Sequence, residues 1–170
     1  VVVTMSWGKT MWGGMNPLEI PKVEKLKLIQ LPGAGTDAID FYQVPKRCKV
    51  CNVYEHEIPI AEYCIASILN WEIKLIEKTI RFKKLDWHDC MIFDGPTHDE
   101  ISNKTIGILG YGKIGKEFAK RIKPFGVDII GFSRVIRKKD KYLKSIHLSK
   151  DLKKNVKKLD YLIVACPLTE

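Results

Sequence analysis

Apolar and polar positions alternate in several distinct ways along this chain, and each pattern predicts an element. "LKLIQLP" (26–32) is a short apolar run that stops at Pro-Gly, a strand running into a turn. "GAGTDAID" (33–40) follows as a glycine loop, with "AIDF" expected to begin a short helix, and "CKVCNV" (48–53) reads as another strand. Pro59 suits the first turn of a helix. After it, Ala61, Ile65, Ile68, Leu69, Ile73, Ile76 and Ile80 recur at helical spacing. The pattern predicts one helix of more than about 20 residues, long enough to cross between two lobes. Residues 86–103 are polar and contain Gly-Pro, a connection.

From Lys104 the pattern becomes β-α-β. "TIGILG" (105–110) is an apolar strand. "KIGKEFAKRIK" (113–123) carries Ile114, Phe118 and Ile122 on one helix face, with Glu117 and Arg121 as an i,i+4 pair outside it. Pro124 and Gly126 end that helix, and "DIIGF" (128–132) is the second strand. "DYLIVAC" (160–166) is a continuous apolar run, as expected of a parallel strand covered on both faces. Strands 105–109, 128–132 and 161–165 are therefore expected side by side and parallel, with residues 110–115 at their carboxyl edge.

Gly110-Tyr111-Gly112-Lys113-Ile114-Gly115 matches G-x-G-x-x-G in a strand–turn–helix context. Each glycine has a physical task there. Gly110 allows the tight turn, Gly112 lets backbone N–H groups approach a pyrophosphate, and Gly115 lets the helix pack close to the sheet. The anion then sits at a helix N-terminus, where free N–H groups and the macrodipole favour negative charge. An acid at the end of the second strand would grip a ribose diol. Asp128 lies at the wrong end of that strand, and the carboxyl end reads Phe132-Ser133-Arg134. A serine beside an arginine suits a 2′-phosphate better than a free 2′-hydroxyl.

Charge adds one alternative. The net charge is +9, and eleven Lys or Arg lie between Arg134 and Lys158 against two acids, Asp140 and Asp151. No aromatic platform or nucleic-acid motif is interleaved, so most of these lysines read as a solvated surface and no nucleic-acid partner is expected. Cys48 and Cys51 form C-x-x-C, but on a strand their thiols face opposite ways and no second pair has metal spacing. Free thiols in a reducing cytoplasm are the expectation. No apolar run approaches the ~20 residues of a membrane span. The opening Val1-Val2-Val3 reads as the interior of a buried strand, so the chain is expected to be an internal piece.

Taken in order, these segments resemble the D-isomer-specific 2-hydroxyacid dehydrogenases. "GAGTDAID" resembles the family's substrate-bordering glycine loop, and "EIPIAEYCIASIL" its helix between substrate and cofactor domains. "NKTIGILGYGKIGKEFAKRIKPFGVDIIGFSR" is similar to its cofactor fingerprint, and "LDYLIVACPLTE" to the next cofactor-contacting strand and loop. The resemblance implies an α/β fold: the first βαβαβ half of a Rossmann-type parallel sheet over 101–170, a linker helix and connection over 59–100, and part of a flavodoxin-like substrate domain over 1–58. It implies that Tyr111, Gly112, Lys113 and Ile114 line the pyrophosphate. Ser133 and Arg134 would face the adenosine ribose, and Cys166 and Pro167 would lie along the adenosine side. Backbone at Gly33 and Ala34 would approach the substrate carboxylate. The implied cofactor is NADP or NAD, and the implied reaction is reduction of a 2-keto acid such as glyoxylate or hydroxypyruvate, or its reverse, by a cytoplasmic homodimer. The family's catalytic Arg, Glu and His lie downstream of the "PLT" loop, so none is expected among these residues, and His56, His88, His98 and His147 read as surface or interdomain histidines. A cofactor-sensing corepressor on the same fold is the alternative.

Overall fold

The computed structural model describes residues 1–9, 23–88, 97–136 and 138–166. The chain divides into two compact units, Val1–Glu55 and His56–Glu170. The boundary falls at the entrance to the long helical segment, so that segment belongs with the second unit.

In the first unit three short parallel strands, β1 (Val2–Val3), β2 (Leu28–Gln30) and β3 (Lys49–Cys51), lie in the order β1-β2-β3. Ile29 is fully buried on the central strand and packs with Trp7, Leu26, Leu31 and Ile39. Cys48 packs against this cluster while Cys51 is exposed. The expected helix at "AIDF" does not form. Ile39 instead makes a bridge to Trp7 and Gly8, and Trp7 donates its indole N–H to Gln43 O at 3.2 Å.

The predicted single long helix is two helices, α1 (Glu57–Ile73) and α2 (Leu75–Lys83). Lys74 breaks the run with a left-handed φ of 55°, and the Asn70 side chain accepts the Ile76 N–H at 3.0 Å. Ala61 and Ile68 of α1 are buried, with Ile65 and Leu69 packed beside them. Beyond the break the apolar stripe turns away, leaving Ile76 and Ile80 more than half exposed.

The second sheet consists of β4 (Thr105–Leu109), β5 (Asp128–Ser133), β6 (Ser145–Leu148) and β7 (Tyr161–Val164), all parallel, in the order β6-β5-β4-β7. The three predicted strands are adjacent as expected, and β6 is an addition. Helix α3 (Lys113–Ile122) follows β4, and a second helical segment, α4 (Leu152–Asn155), precedes β7. Phe118 and Ile122 of α3 are fully buried among Ile106, Ile108, Val127 and Ile129, and α1 packs on the same core. Glu117 pairs with Arg121 as predicted, and Arg121 Nε also lies 3.7 Å from Glu62 of α1. The expectation that β7 is covered on both faces is not met among the described residues: Leu162 and Val164 are 39% and 63% exposed. Among the described residues no helix is long and apolar enough to cross a membrane.

One buried carboxylate ties α1 to this sheet. Glu72 is 6% exposed, accepts the hydroxyl of Tyr161 on β7, and lies 3.5 Å from the ammonium of Lys104 just before β4. Burial first, then the bond to Glu72 and the surrounding acids, pushes the Tyr161 phenol well above its ordinary pKa of 10. The native state therefore keeps a proton that the unfolded chain releases. That contribution to stability is complete below about pH 10 and is lost as the pH rises beyond it. Tyr161→Phe should cost about 1–2 kcal/mol in urea unfolding near neutrality. It should also flatten the loss of stability above about pH 10. Tyr42→Phe, at a fully exposed side chain of the first unit, should change stability by less than about 0.5 kcal/mol.

Candidate functional site

The order of the second sheet reverses at β4. The chain moves from β4 to β5 to β6 on one side and then returns to place β7 on the other. In open α/β sheets a crevice forms at such a point, outside the carboxyl ends of the strands. The glycine turn lies at that point. Gly110 N donates to Phe132 O at 2.8 Å and Ala165 N donates to Leu109 O at 2.8 Å, so the ends of β4, β5 and β7 are locked in register. Ser133, Gly110 and Cys166 consequently share one edge of the sheet. Asp128 pairs with Thr105 at the other edge, where its carboxylate takes the ammonium of Lys144 at 2.6 Å.

The three glycines are constrained differently. Gly110 has φ 92°, and a Cβ there would stand 2.6 Å from Cys166 N and 2.7 Å from Ala165 C and O. A Cβ at Gly115 would stand 2.8 Å from Gly110 O and 2.9 Å from Ile108 Cγ2. Both positions are closed by the fold itself. Gly112 is the N-cap of α3, has φ −96°, makes no side-chain cap and, among the described residues, has nothing within 4 Å of where a Cβ would lie. The first turn of a helix leaves N–H groups without intrahelical acceptors. Here, with no capping side chain and no described atom within 4 Å of a Cβ at Gly112, those of α3 are left open to an incoming group, a cradle suited to an anion.

Lys113 is exposed and Ile114 half-buried in that first turn. Tyr111 is placed otherwise. Its ring is buried at 7% exposure, and its hydroxyl donates to Asp140 Oδ2 at 2.6 Å, so the side chain faces the core and not the open side of the turn. Burial, then the bond and charge of Asp140, raise the phenol's pKa, so it stays a neutral donor. Ser133 ends β5 half-buried with its hydroxyl on Val135 O at 2.5 Å, and Arg134 is exposed immediately after it. Cys166 is exposed at the end of β7, and Pro167 lies outside the described residues, as does Arg137.

In the first unit Gly33 and Ala34 are fixed by their carbonyls. Val53 N donates to Gly33 O at 3.3 Å, and Asn52 Nδ2 donates to Ala34 O at 2.9 Å and to the Tyr54 hydroxyl at 3.1 Å. Asn52, which holds the Ala34 carbonyl, and Asp140, which holds the Tyr111 hydroxyl, are contacts that sequence reasoning missed. Neither sits in a recognisable motif, although an Asn at a strand end and one acid inside a basic run are the signals that were present. Of the histidines, His88 and His98 are exposed, His56 is the N-cap of α1, and His147 on β6 lies beside Phe132, ring centroids 5.9 Å apart.

Residues 65–170 match the family described as D-isomer specific 2-hydroxyacid dehydrogenase, NAD binding domain. A D-3-phosphoglycerate dehydrogenase of Methanocaldococcus jannaschii is 32% identical over 152 residues, covering 88% of this chain and 28% of that protein. A hydroxypyruvate reductase of Thermotoga maritima is 29% identical over 149 residues, covering 86% of this chain and 46% of that protein. The chain thus spans about half or less of the length of these relatives. Among solved structures, the PH0520 protein of Pyrococcus horikoshii superposes with a TM-score of 0.69 at 32% identity, over 86% of this chain and 45% of that one. The matched region covers the glycine turn, the sheet around it and α3, and its family binds NAD through that domain. By this match the chain belongs to the D-isomer specific 2-hydroxyacid dehydrogenases.

Proposed function

We propose that these residues are part of an NADP-preferring 2-keto acid reductase, with glyoxylate or hydroxypyruvate as the substrate class, and that the second unit carries the cofactor. The observation that carries this reading is the open space at Gly112 before an uncapped helix N-terminus, at the point where the strand order reverses. The dinucleotide supplies the hydride when bound. What this chain contributes is binding: N–H groups of the first turn of α3 for the pyrophosphate, with Lys113 adding positive charge, and Ser133 and Arg134 for the ribose. Gly33 and Ala34, fixed by Val53 and Asn52, would border the substrate carboxylate. The resemblance to a hydroxypyruvate reductase supports the substrate class. The exposed apolar side chains Tyr63, Trp71, Leu75 and Phe82 along α1 and α2 support assembly as a homodimer. A non-catalytic cofactor sensor would share the turn, and turnover by the full-length protein separates the two.

Gly112→Val tests the turn. A Cβ there meets no described atom within 4 Å, so the fold should hold while the γ-methyls of the branched side chain hinder the approach to the N–H groups. The full-length variant should keep the parent's melting temperature and bind either cofactor at least about tenfold more weakly, about 1.4 kcal/mol, by fluorescence titration. Unchanged affinity would remove the turn from the binding site.

Cofactor preference tests the ribose end. Arg134 offers a planar fork of donors to phosphate oxygens, a charge-assisted contact worth about 1.5–3 kcal/mol where fully formed. The parent should therefore favour NADPH over NADH in kcat/KM. Ser133→Asp with Arg134→Pro should reverse or erase that preference, because a carboxylate repels the 2′-phosphate and accepts bonds from a diol. The measurement is the ratio of the two kcat/KM values at fixed ionic strength. A ratio unmoved by the double change would show that these residues do not read the ribose.

A further inference from the structure

The side chain of Tyr111 turns away from the open side of the glycine turn. The ring passes under the segment that follows β5 and packs beside Leu143 over Gly131. A Cβ at Gly131 would lie 3.0 Å from Leu143 Cδ1 and 3.4 Å from Tyr111 Cγ, so the ring and the leucine sit close over the backbone of β5 there. At the far end of the ring the hydroxyl donates to Asp140 Oδ2 at 2.6 Å. The other oxygen of the same carboxylate accepts the Tyr142 N–H at 3.0 Å, and Asp140 O accepts the Leu143 N–H at 3.3 Å. Asp140 thus closes a tight turn and fastens it to the glycine loop 29 residues earlier in the chain.

What this holds in place is the segment that begins with Arg134. Its near end is fixed by Ser133 Oγ on Val135 O at 2.5 Å, and its far end by Asp140. Between these points Arg134, Val135, Ile136, Lys138 and Lys139 are exposed. Like charges so close together repel, and a cationic segment without an anchor would spread into solvent. Asp140 is the one acid between Arg134 and Lys150 in the sequence. Turned outward, its carboxylate would cancel part of the positive charge offered to an anion. Turned inward, onto a neutral phenol and a backbone N–H, it anchors the segment and leaves the cations facing solvent.

We infer that the Tyr111–Asp140 hydrogen bond is a latch that fixes residues 134–136 and 138–139 beside the glycine turn, which makes Tyr111 and Asp140 positioning residues for recognition of the cofactor's 2′-phosphate. The inference rests on the reading of Ser133 and Arg134 as the ribose end of the site. It joins the two ends of that site mechanically: the residue between Gly110 and Gly112 holds the loop that reads the ribose.

Tyr111→Phe tests it, because the ring and its packing remain and only the hydroxyl is lost. Two measurements on the full-length protein are needed. Amide hydrogen exchange of the unliganded protein should be at least about fivefold faster over 134–144 in the variant and unchanged over β4 and α3. In steady-state kinetics the KM for NADPH should rise about three- to tenfold with kcat within twofold, while the KM for NADH changes less than twofold. Asp140→Ala should reproduce both effects, and adding it to Tyr111→Phe should weaken NADPH little further. Unchanged exchange over 134–144 overturns the latch. Faster exchange with equal weakening of NADPH and NADH overturns the role in reading the 2′-phosphate. A parent that prefers NADH overturns the cofactor preference proposed above and that role with it, while the latch as a structural element still stands or falls on the exchange measurement.

Discussion

No side chain fits at position 110, and most of the candidate site follows from that. Where β4 ends, its backbone runs so close to the Ala165–Cys166 peptide that a Cβ would fall within 2.7 Å of three backbone atoms. The chain turns there with φ 92°, a conformation open to glycine at little cost. The close approach lets β7 lie against β4 on the side opposite β5, which is the reversal of strand order that opens a crevice. Gly115 repeats the constraint one helical turn later, bringing α3 down onto Gly110 O and Ile108. With both contacts made, the start of α3 is aimed along the carboxyl edge of the sheet, and Ser133 and Cys166 arrive at that edge by strand register alone.

Charge is sorted along the same axis. At the amino edge of the sheet the carboxylates are engaged: Asp128 with Lys144, and Asp160 with the Thr105 N–H at 2.7 Å. At the carboxyl edge the helix N-terminus, Lys113 and Arg134 all contribute positive potential, and the nearby acid, Asp140, is turned onto Tyr111. An anion entering from that side meets donors and positive charge. The buried Glu72 lies outside this arrangement. Its partners Tyr161 and Lys104 are at the starts of β7 and β4, so it serves the docking of α1 on the sheet.

How much of this the sequence discloses depends on the range of the interactions involved. The strands at 105–109 and 128–132 and helix α3 are legible because a few residues suffice to show their apolar period and their glycine punctuation. "SIHL" was not legible as β6: four half-buried residues in a lysine-rich stretch carry no period, and pairing with β5 alone makes them a strand. The break at Lys74 was hidden for a related reason. Lysine is a sound helix former, and the stop comes from Asn70 capping Ile76 from six residues away. "AIDF" reads as helical from local composition, whereas Trp7, more than 30 residues upstream, pairs with Ile39 as a bridge. The Tyr111–Asp140 and Asn52–Ala34 bonds have the same character, spanning 29 and 18 residues. The motif marked the place of the site. Contacts between distant segments shape its walls.

The glycine motif therefore has two parts with different physical origins. Positions 110 and 115 must be glycine for the sheet and helix to assemble at all, whatever the turn binds, since a Cβ at either would strike backbone. Their presence is evidence of fold. Among the described residues position 112 is not held to glycine by any such contact: its φ of −96° is open to ordinary residues and a Cβ there would meet nothing within 4 Å. A glycine in the first position of a helix boundary, with no cap and no steric demand, gives up the stabilisation that a Ser, Asp or Asn cap would add, typically about a few tenths of a kcal/mol over glycine. What that loss leaves free is the line of approach to the N–H groups of α3. A capping side chain would occupy those groups. Of the three glycines, Gly112 is thus the one whose identity argues for a ligand, and the argument is for a ligand bearing an anion.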